Sequence, residues 1–176
     1  MELHLDSHRY VRCTPDWRAA VVAGLIAGAV YMVLELLTAR FLMYQGAWGT
    51  VKMVAAIILG REALSADAFN WTIVLSAGTV HFALSIILSA VLAMILSSFR
   101  LDSSMGLASL AGIVFGAVIY LINFYVFGRY FNWFDEARGW ESLFAHALFG
   151  LVAADVYVNL ERRGGDTAGP QPGGNG

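Results

Sequence analysis

One cysteine, Cys13, stands in 176 residues. That excludes an internal disulfide framework and a multi-cysteine metal site. Charge is scarce as well. Asp, Glu, Lys and Arg make up 14 % of the chain, against about 25 % in an ordinary soluble protein. The formal net charge is −2, so no basic footprint for nucleic acid exists. No P-loop, dinucleotide-binding glycine fingerprint, zincin motif or nucleophile elbow occurs, and the chain reads as a non-enzyme. What is abundant is apolar side chain, at 59 % against a usual figure of about 45–50 %. A soluble domain this small keeps too large a surface fraction to bury so much. Lipid is the solvent that tolerates it.

Four stretches reach the roughly 20 apolar residues that a membrane span needs. They run over about 19–44, 71–99, 105–127 and 140–160. None alternates as barrel strands do, so the fold class is all-α, a polytopic four-helix bundle. Trp17, Trp48, Trp71, Trp133 and Trp140 fall at or beyond span ends, where an amphipathic ring sits at headgroup depth. Thr14-Pro15-Asp16 supplies a start signal, with a capping hydroxyl at Thr14 and proline in the first turn. The segment Thr50 to Gly60 is too short to span and reads as an interfacial or re-entrant helix, capped by Thr50 and ended by Gly60. Residues 1–16 form a polar leader and 17–162 the membrane domain, while 163–176, rich in glycine and proline, read as a disordered tail. The leader carries acidic residues, and Glu35 interrupts the first apolar run, so that run reads as an uncleaved span rather than a signal peptide. Six basic residues lie on the side of the termini (Arg9, Arg12, Arg18, Arg100, Arg162, Arg163) and five on the other. That balance, with several basic residues of the longest loop beside acidic ones, favours both termini in the cytoplasm.

The chain carries an internal echo. Residues 24–30 read GLIAGAV and residues 112–118 read GIVFGAV, followed five positions later by Glu35 and Asn123. Phe69-Asn70-Trp71 precedes the second span and Phe131-Asn132-Trp133 the fourth. His81-xxx-Ser85-xxx-Ser89 is matched by His146-xxx-Gly150-xxx-Ala154. These matches predict two helical hairpins inserted in the same direction, related by an approximate two-fold axis along the membrane normal. Glu35 then corresponds to Asn123, and His81 to His146.

Helical periodicity puts Glu35 on the face of Gly24 and Gly28, and Asn123 on the face of Gly112 and Gly116. His81 shares a face with Ser85 and Ser89. Small-xxx-small faces pack against other helices, so all four polar residues are expected to point into the bundle. Each lies roughly 9–15 Å from the boundary opposite the termini, at 1.5 Å per residue. A buried carboxylate there needs a partner, since lipid offers none, and a histidine is the natural one. Asp155 faces away from His146, where Arg162 or Arg163 stands within reach. His4 and His8 have i, i+4 spacing, a pattern that in a polar leader most often carries no metal.

GLIAGAV, VKMVAAIILG, VHFALSII and the stretch 131–152 together resemble a family of small, largely uncharacterised proteobacterial four-span membrane proteins, some bearing symporter-like names. The resemblance implies an inner-membrane protein and assigns no catalytic residue. Three functions are compatible with the residues. Glu35, His81, Asn123 and His146 would form an intramembrane binding site for a proton, cation or small solute, in an oligomer. Alternatively, His81 and His146 would hold a b-type haem or a metal ion. Otherwise the chain is an accessory or assembly protein whose polar cluster fixes helix register. The expected surroundings are the lipid bilayer and, in a homo-oligomer, further copies of the chain; no cofactor is called for by the first and third readings.

Overall fold

The computed structural model describes residues 14–41 and 46–167. His4, His8, Cys13 and the leader through residue 13 lie outside the described residues, as does the tail beyond 167. The described chain is helical throughout. The order is α1 (Trp17–Phe41), α2 (Gly46–Leu59), a 3₁₀ turn (Arg61–Ser65), α3 (Trp71–Ser98), a second 3₁₀ turn (Leu101–Ser103), α4 (Met105–Leu121), short π and 3₁₀ turns, and α5 (Trp140–Thr167). Four of these elements are long and apolar enough to cross a membrane, the third being α4 with its following turns to Arg129.

Three of the helix starts have a local cause. The cap of α1 is Asp16 rather than Thr14. Its carboxylate accepts from the backbone N–H of Arg18 at 2.9 Å and of Ala19 at 3.1 Å. This satisfies two of the orphan donors of the first turn and places a negative charge at the positive end of the helix dipole. Asn70 does the same for α3, accepting from Thr72 N–H at 2.8 Å. The short helix α2 begins at Gly46 rather than at Thr50, and ends where sequence placed its end, at Gly60. Gly46 and Gly60 have φ of 65° and 83°, a left-handed backbone that glycine adopts without steric cost. Thr50 is therefore interior to α2, and its hydroxyl is buried without a hydrogen-bond partner among the described residues. At the far end, α5 continues to Thr167, five residues into the stretch expected to be disordered. Glycine at 164 and 165 weakens a helix but does not stop it; the first proline comes only at Pro170.

Two of the four long helices, α1 and α4, bury small side chains along much of their length and expose large ones. In α1, Ala19, Ala20, Ala23, Gly24, Ala27 and Gly28 are buried, while Leu25, Ile26, Val33 and Leu37 face outward. The same inversion holds in α4, where Ala108, Gly112 and Gly116 are inside and Leu110, Val114 and Val118 outside. In water such a surface would aggregate. In lipid it is the expected arrangement, because tails solvate large apolar side chains and only small residues let backbones approach. The closest approach is between α4 and α5. A methyl group at Gly112 would overlap the carbonyl of Gly150, one at Gly150 would overlap the carbonyl of Gly112, and one at Gly116 would overlap the carbonyl of His146. On the other side, α1 lies on α3 with Gly24 against Ser85 and Ile86 and Gly28 against Ser85 and Phe82. Helices α1 and α5 join the two pairs, and α3 and α4 hardly touch.

The two ends of the bundle are finished differently. At the end carrying the termini, Tyr157 is fully buried. Its hydroxyl meets Ser97 at 3.0 Å, the Asp16 N–H at 3.2 Å and the Glu161 carboxylate at 3.1 Å, tying α1, α3 and α5 together. Asp155 takes a hydrogen bond from Ser109 on α4. Arg162 instead reaches the carbonyls of Asp102 and Ser103. At the opposite end, α2 packs along α3 and α1. The ring nitrogens of Trp48 and Trp133 donate to the carbonyls of Ala66 and Met53. Lys52 donates to the carbonyls of Leu64 and Ala66 at 2.9 and 3.1 Å. So Trp17, Trp71 and Trp140 remain exposed at helix starts, whereas Trp48 and Trp133 are partly buried in the connections.

The glycine contacts give a sharp expectation. Gly112→Ala and Gly150→Ala force backbone against backbone and are expected to cost about 1–3 kcal/mol each, the usual range for overpacking. Gly78 has open space at its Cβ position, so Gly78→Ala is expected to be neutral or stabilising by up to about 1 kcal/mol. Thermal unfolding of the three variants in one detergent checks the ranking; equal melting temperatures would refute the close packing of α4 on α5.

Candidate functional site

Glu35, His81, Asn123 and His146 lie in the half of the bundle that faces α2. The centre is His146 on α5, which is 6 % exposed. Its Nδ1 lies 2.7 Å from the carbonyl of Ser142, one turn earlier. A carbonyl only accepts, so Nδ1 carries the proton and donates. Nε2 is then free to accept, and the Asn123 amide donates to it at 3.1 Å. The Tyr31 hydroxyl of α1 stands 3.3 Å from Nδ1 and 3.5 Å from Nε2. The Tyr31 ring meets the imidazole edge to face, with centroids 5.0 Å apart. Tyr120 and Phe124 close the other sides of His146, at centroid distances of 5.7 and 6.0 Å.

Glu35 lies one turn beyond Tyr31 on α1. It is half-buried, and its carboxylate is within hydrogen-bonding reach of the hydroxyls of Tyr31 and Ser142. Ser142 has one hydroxyl hydrogen, and its oxygen stands 2.6 Å from the Ala137 carbonyl. Tyr31 likewise has one, and with the His146 Nε2 lone pair taken by Asn123 the carboxylate is its acceptor. The carboxylate therefore competes only with the Ala137 carbonyl, for the Ser142 hydrogen. It does not pair with either histidine, contrary to the expectation from sequence. The Glu35 partners are hydroxyls because the helix geometry brings Tyr31, four residues away on the same face, between Glu35 and the imidazoles.

His81 belongs to this group only at its edge. Its Nε2 lies 2.8 Å from the Gly28 carbonyl, and so donates to it. Its ring lies 5.8 Å from that of Tyr31. Behind it, Ser85 donates to the His81 carbonyl and Ser89 to the Ala20 carbonyl. The small residues Gly24, Gly28, Gly112 and Gly116 are all buried at helix contacts. Asn123 owes its position to a defect. Residues Ile122–Val126 form a π turn at the end of α4, and such a widened turn re-aims the side chains it carries.

Two members went unnoticed in the sequence, Tyr31 and Ser142. Each stands four residues before a polar residue already singled out, Glu35 and His146 respectively. The i, i+4 rule was the available signal. The Tyr31 ring stands beside both imidazoles, its centroid 5.8 Å from that of His81 and 5.0 Å from that of His146. Among the described residues, no three His, Cys, Asp or Glu side chains gather as a set of metal ligands.

Comparison of the chain with known protein families, with characterised proteins and with solved structures finds no match. The reading of the site rests on its own geometry.

That geometry makes a spectroscopic prediction. At neutral pH, His146 is expected as the Nδ1–H tautomer and His81 as the Nε2–H tautomer. Nitrogen-15 NMR of selectively labelled protein in micelles separates the two forms. Finding the same tautomer at both positions would contradict the hydrogen-bond assignment.

Proposed function

We propose that this chain is an integral membrane protein of the bacterial inner membrane whose intramembrane cluster takes up a proton or small cation and couples it to movement of a small solute. The observation that carries the proposal is the chain Glu35–Tyr31–His146–Asn123 at membrane depth. It joins a carboxylate and an imidazole, both titratable, through a hydroxyl that can give and accept hydrogen bonds. Ionisable residues inside membranes are expensive and mark ion or proton pathways far more often than they serve packing alone. A hydrogen bond between membrane helices is worth only about 0.6 kcal/mol on average. Stability alone is a weak reason to keep a carboxylate there.

In this reading Glu35 bears the charge, Tyr31 transmits, His146 accepts or stores a proton, and Asn123 orients His146. His81 takes the corresponding place in the first hairpin. The two hairpins are read as copies of one ancestral unit. Gly24 and Gly28 lie on the His81 helix as Gly112 and Gly116 lie on the His146 helix, with Ser85 at the place of Gly150. The copies have diverged where α1 has Ala27 and α4 has Phe115, which matches the tight α1–α5 contact and the open α3–α4 side. The Phe-Asn-Trp echo has diverged in use: Asn70 caps α3, whereas Asn132 accepts from Arg61 at 2.6 Å. Both termini are placed in the cytoplasm, which puts the cluster in the outer half of the bilayer. One bundle of four helices is thin for a pathway, so a homo-oligomer is the proposed working form.

The test is Glu35→Gln, which keeps the shape and removes the charge. Wild-type protein in liposomes holding a pH-sensitive dye is expected to carry a proton flux under an imposed pH gradient. The variant is expected to lose at least about tenfold of that flux while keeping its melting temperature within a few degrees. Unchanged flux in the variant would leave Glu35 with a structural role. A large loss of stability with no change in flux would favour the assembly reading.

A further inference from the structure

A second polar site lies at the surface, away from the spans' own contacts. The π turn ending α4 and the 3₁₀ turn Asn132–Ala137 enclose a cleft of about 300 Å³. Phe124 and Tyr125 give it apolar lining, and Arg129, Asn132, Asp135 and Arg138 line it with polar groups. Three of these are donors. Arg138 is held over the Tyr125 ring, its guanidinium carbon 5.5 Å from the ring centre. Arg129 is exposed and has no carboxylate partner among the described residues. Asn132 accepts from Arg61 through its side-chain oxygen at 2.6 Å, so its amide hydrogens remain to be used elsewhere. Only Asp135 opposes a negative guest, giving two cationic groups against one anionic group around the cleft.

We propose that this cleft binds an oxyanion, a carboxylate or phosphate, carried on a small apolar body. A guanidinium fork and an amide match the oxygens of such a group. The rings of Phe124 and Tyr125 receive the apolar part. The site lies at headgroup depth, beside the end of a span, so the oxyanion comes either from an anionic lipid or from a soluble solute. Phe124 also packs against His146, which makes it a wall common to the cleft and the intramembrane cluster. The proposal stands without the proton-coupling reading, because it needs only the cleft and its donors.

The full-length protein in neutral detergent tests it with two kinds of probe. Isothermal titration with benzoate and with inorganic phosphate reports a soluble anion. Native mass spectrometry after incubation with phosphatidylglycerol or phosphatidylcholine reports a lipid headgroup. Saturable binding of benzoate or phosphate, or selective retention of phosphatidylglycerol, is expected, and the arm that responds identifies the source. Arg129→Gln and Arg138→Gln are each expected to weaken that binding about tenfold. Asp135→Asn is expected to strengthen it several-fold, an opposite sign that general loss of structure cannot produce. If Arg138→Gln unfolds the protein by uncovering Tyr125, the Arg129 and Asp135 variants decide. No saturable binding by any probe, or binding indifferent to Arg129→Gln and Asp135→Asn, would overturn the proposal.

Discussion

Hydrocarbon offers no hydrogen-bond partner, and every polar group placed in it must find one within the protein. Most of this molecule follows from that constraint. It makes the spans helical, so that backbone groups satisfy themselves. It turns many large apolar side chains outward and lets alanine and glycine make the closest contacts of α1 and α4. It then demands that the few polar side chains meet. His146 has a carbonyl behind it and an amide and a hydroxyl in front. His81 takes the Gly28 carbonyl. Serines return their hydrogens to carbonyls one turn back or across a helix contact. Glu35 is less well provided for: of the two hydroxyls within its reach, that of Ser142 has another acceptor in the Ala137 carbonyl.

The backbone contact of α4 with α5 is what makes the cluster possible. Gly116 lies against the His146 carbonyl, so the helices are as close at the histidine as two helices can come. That closeness lets Asn123, about two turns further along in the π turn that follows α4, reach the imidazole across the interface. The π turn adds the final adjustment. The glycines, the widened turn and the polar pair thus form one device. Small residues set the distance between helices, and the distance selects which side chains can meet.

Much of this was legible in the sequence. Four apolar runs and their tryptophans marked the spans to within a few residues. The glycine spacing marked the contact faces, because helical periodicity turns spacing into direction. What escaped was local competition. Thr14 and Asp16 both suit a helix start, and the carboxylate won because it reaches two N–H groups. Thr50 resembled a cap but lies inside α2, since Gly46 already supplies the left-handed start. Glu35 was matched to a histidine by charge, whereas Tyr31 stood nearer on the same helix. Asp155 was matched to an arginine across several turns, whereas Ser109 faced it on the adjoining helix. In each case a type of partner could be read from composition, and its identity only from packing.

The central claim is that polar side chains from different helices act as one coupled unit around His146. A double-mutant cycle tests it most directly. Tyr31→Phe and Asn123→Ala each remove one partner of the same imidazole, from α1 and from α4. Unfolding free energies of the two single variants and the double variant, measured in one detergent, give the coupling. A shared unit predicts non-additivity of at least about 0.5 kcal/mol, above the usual error for independent sites. Losses that add to within about 0.3 kcal/mol, with each single variant folded, would contradict it.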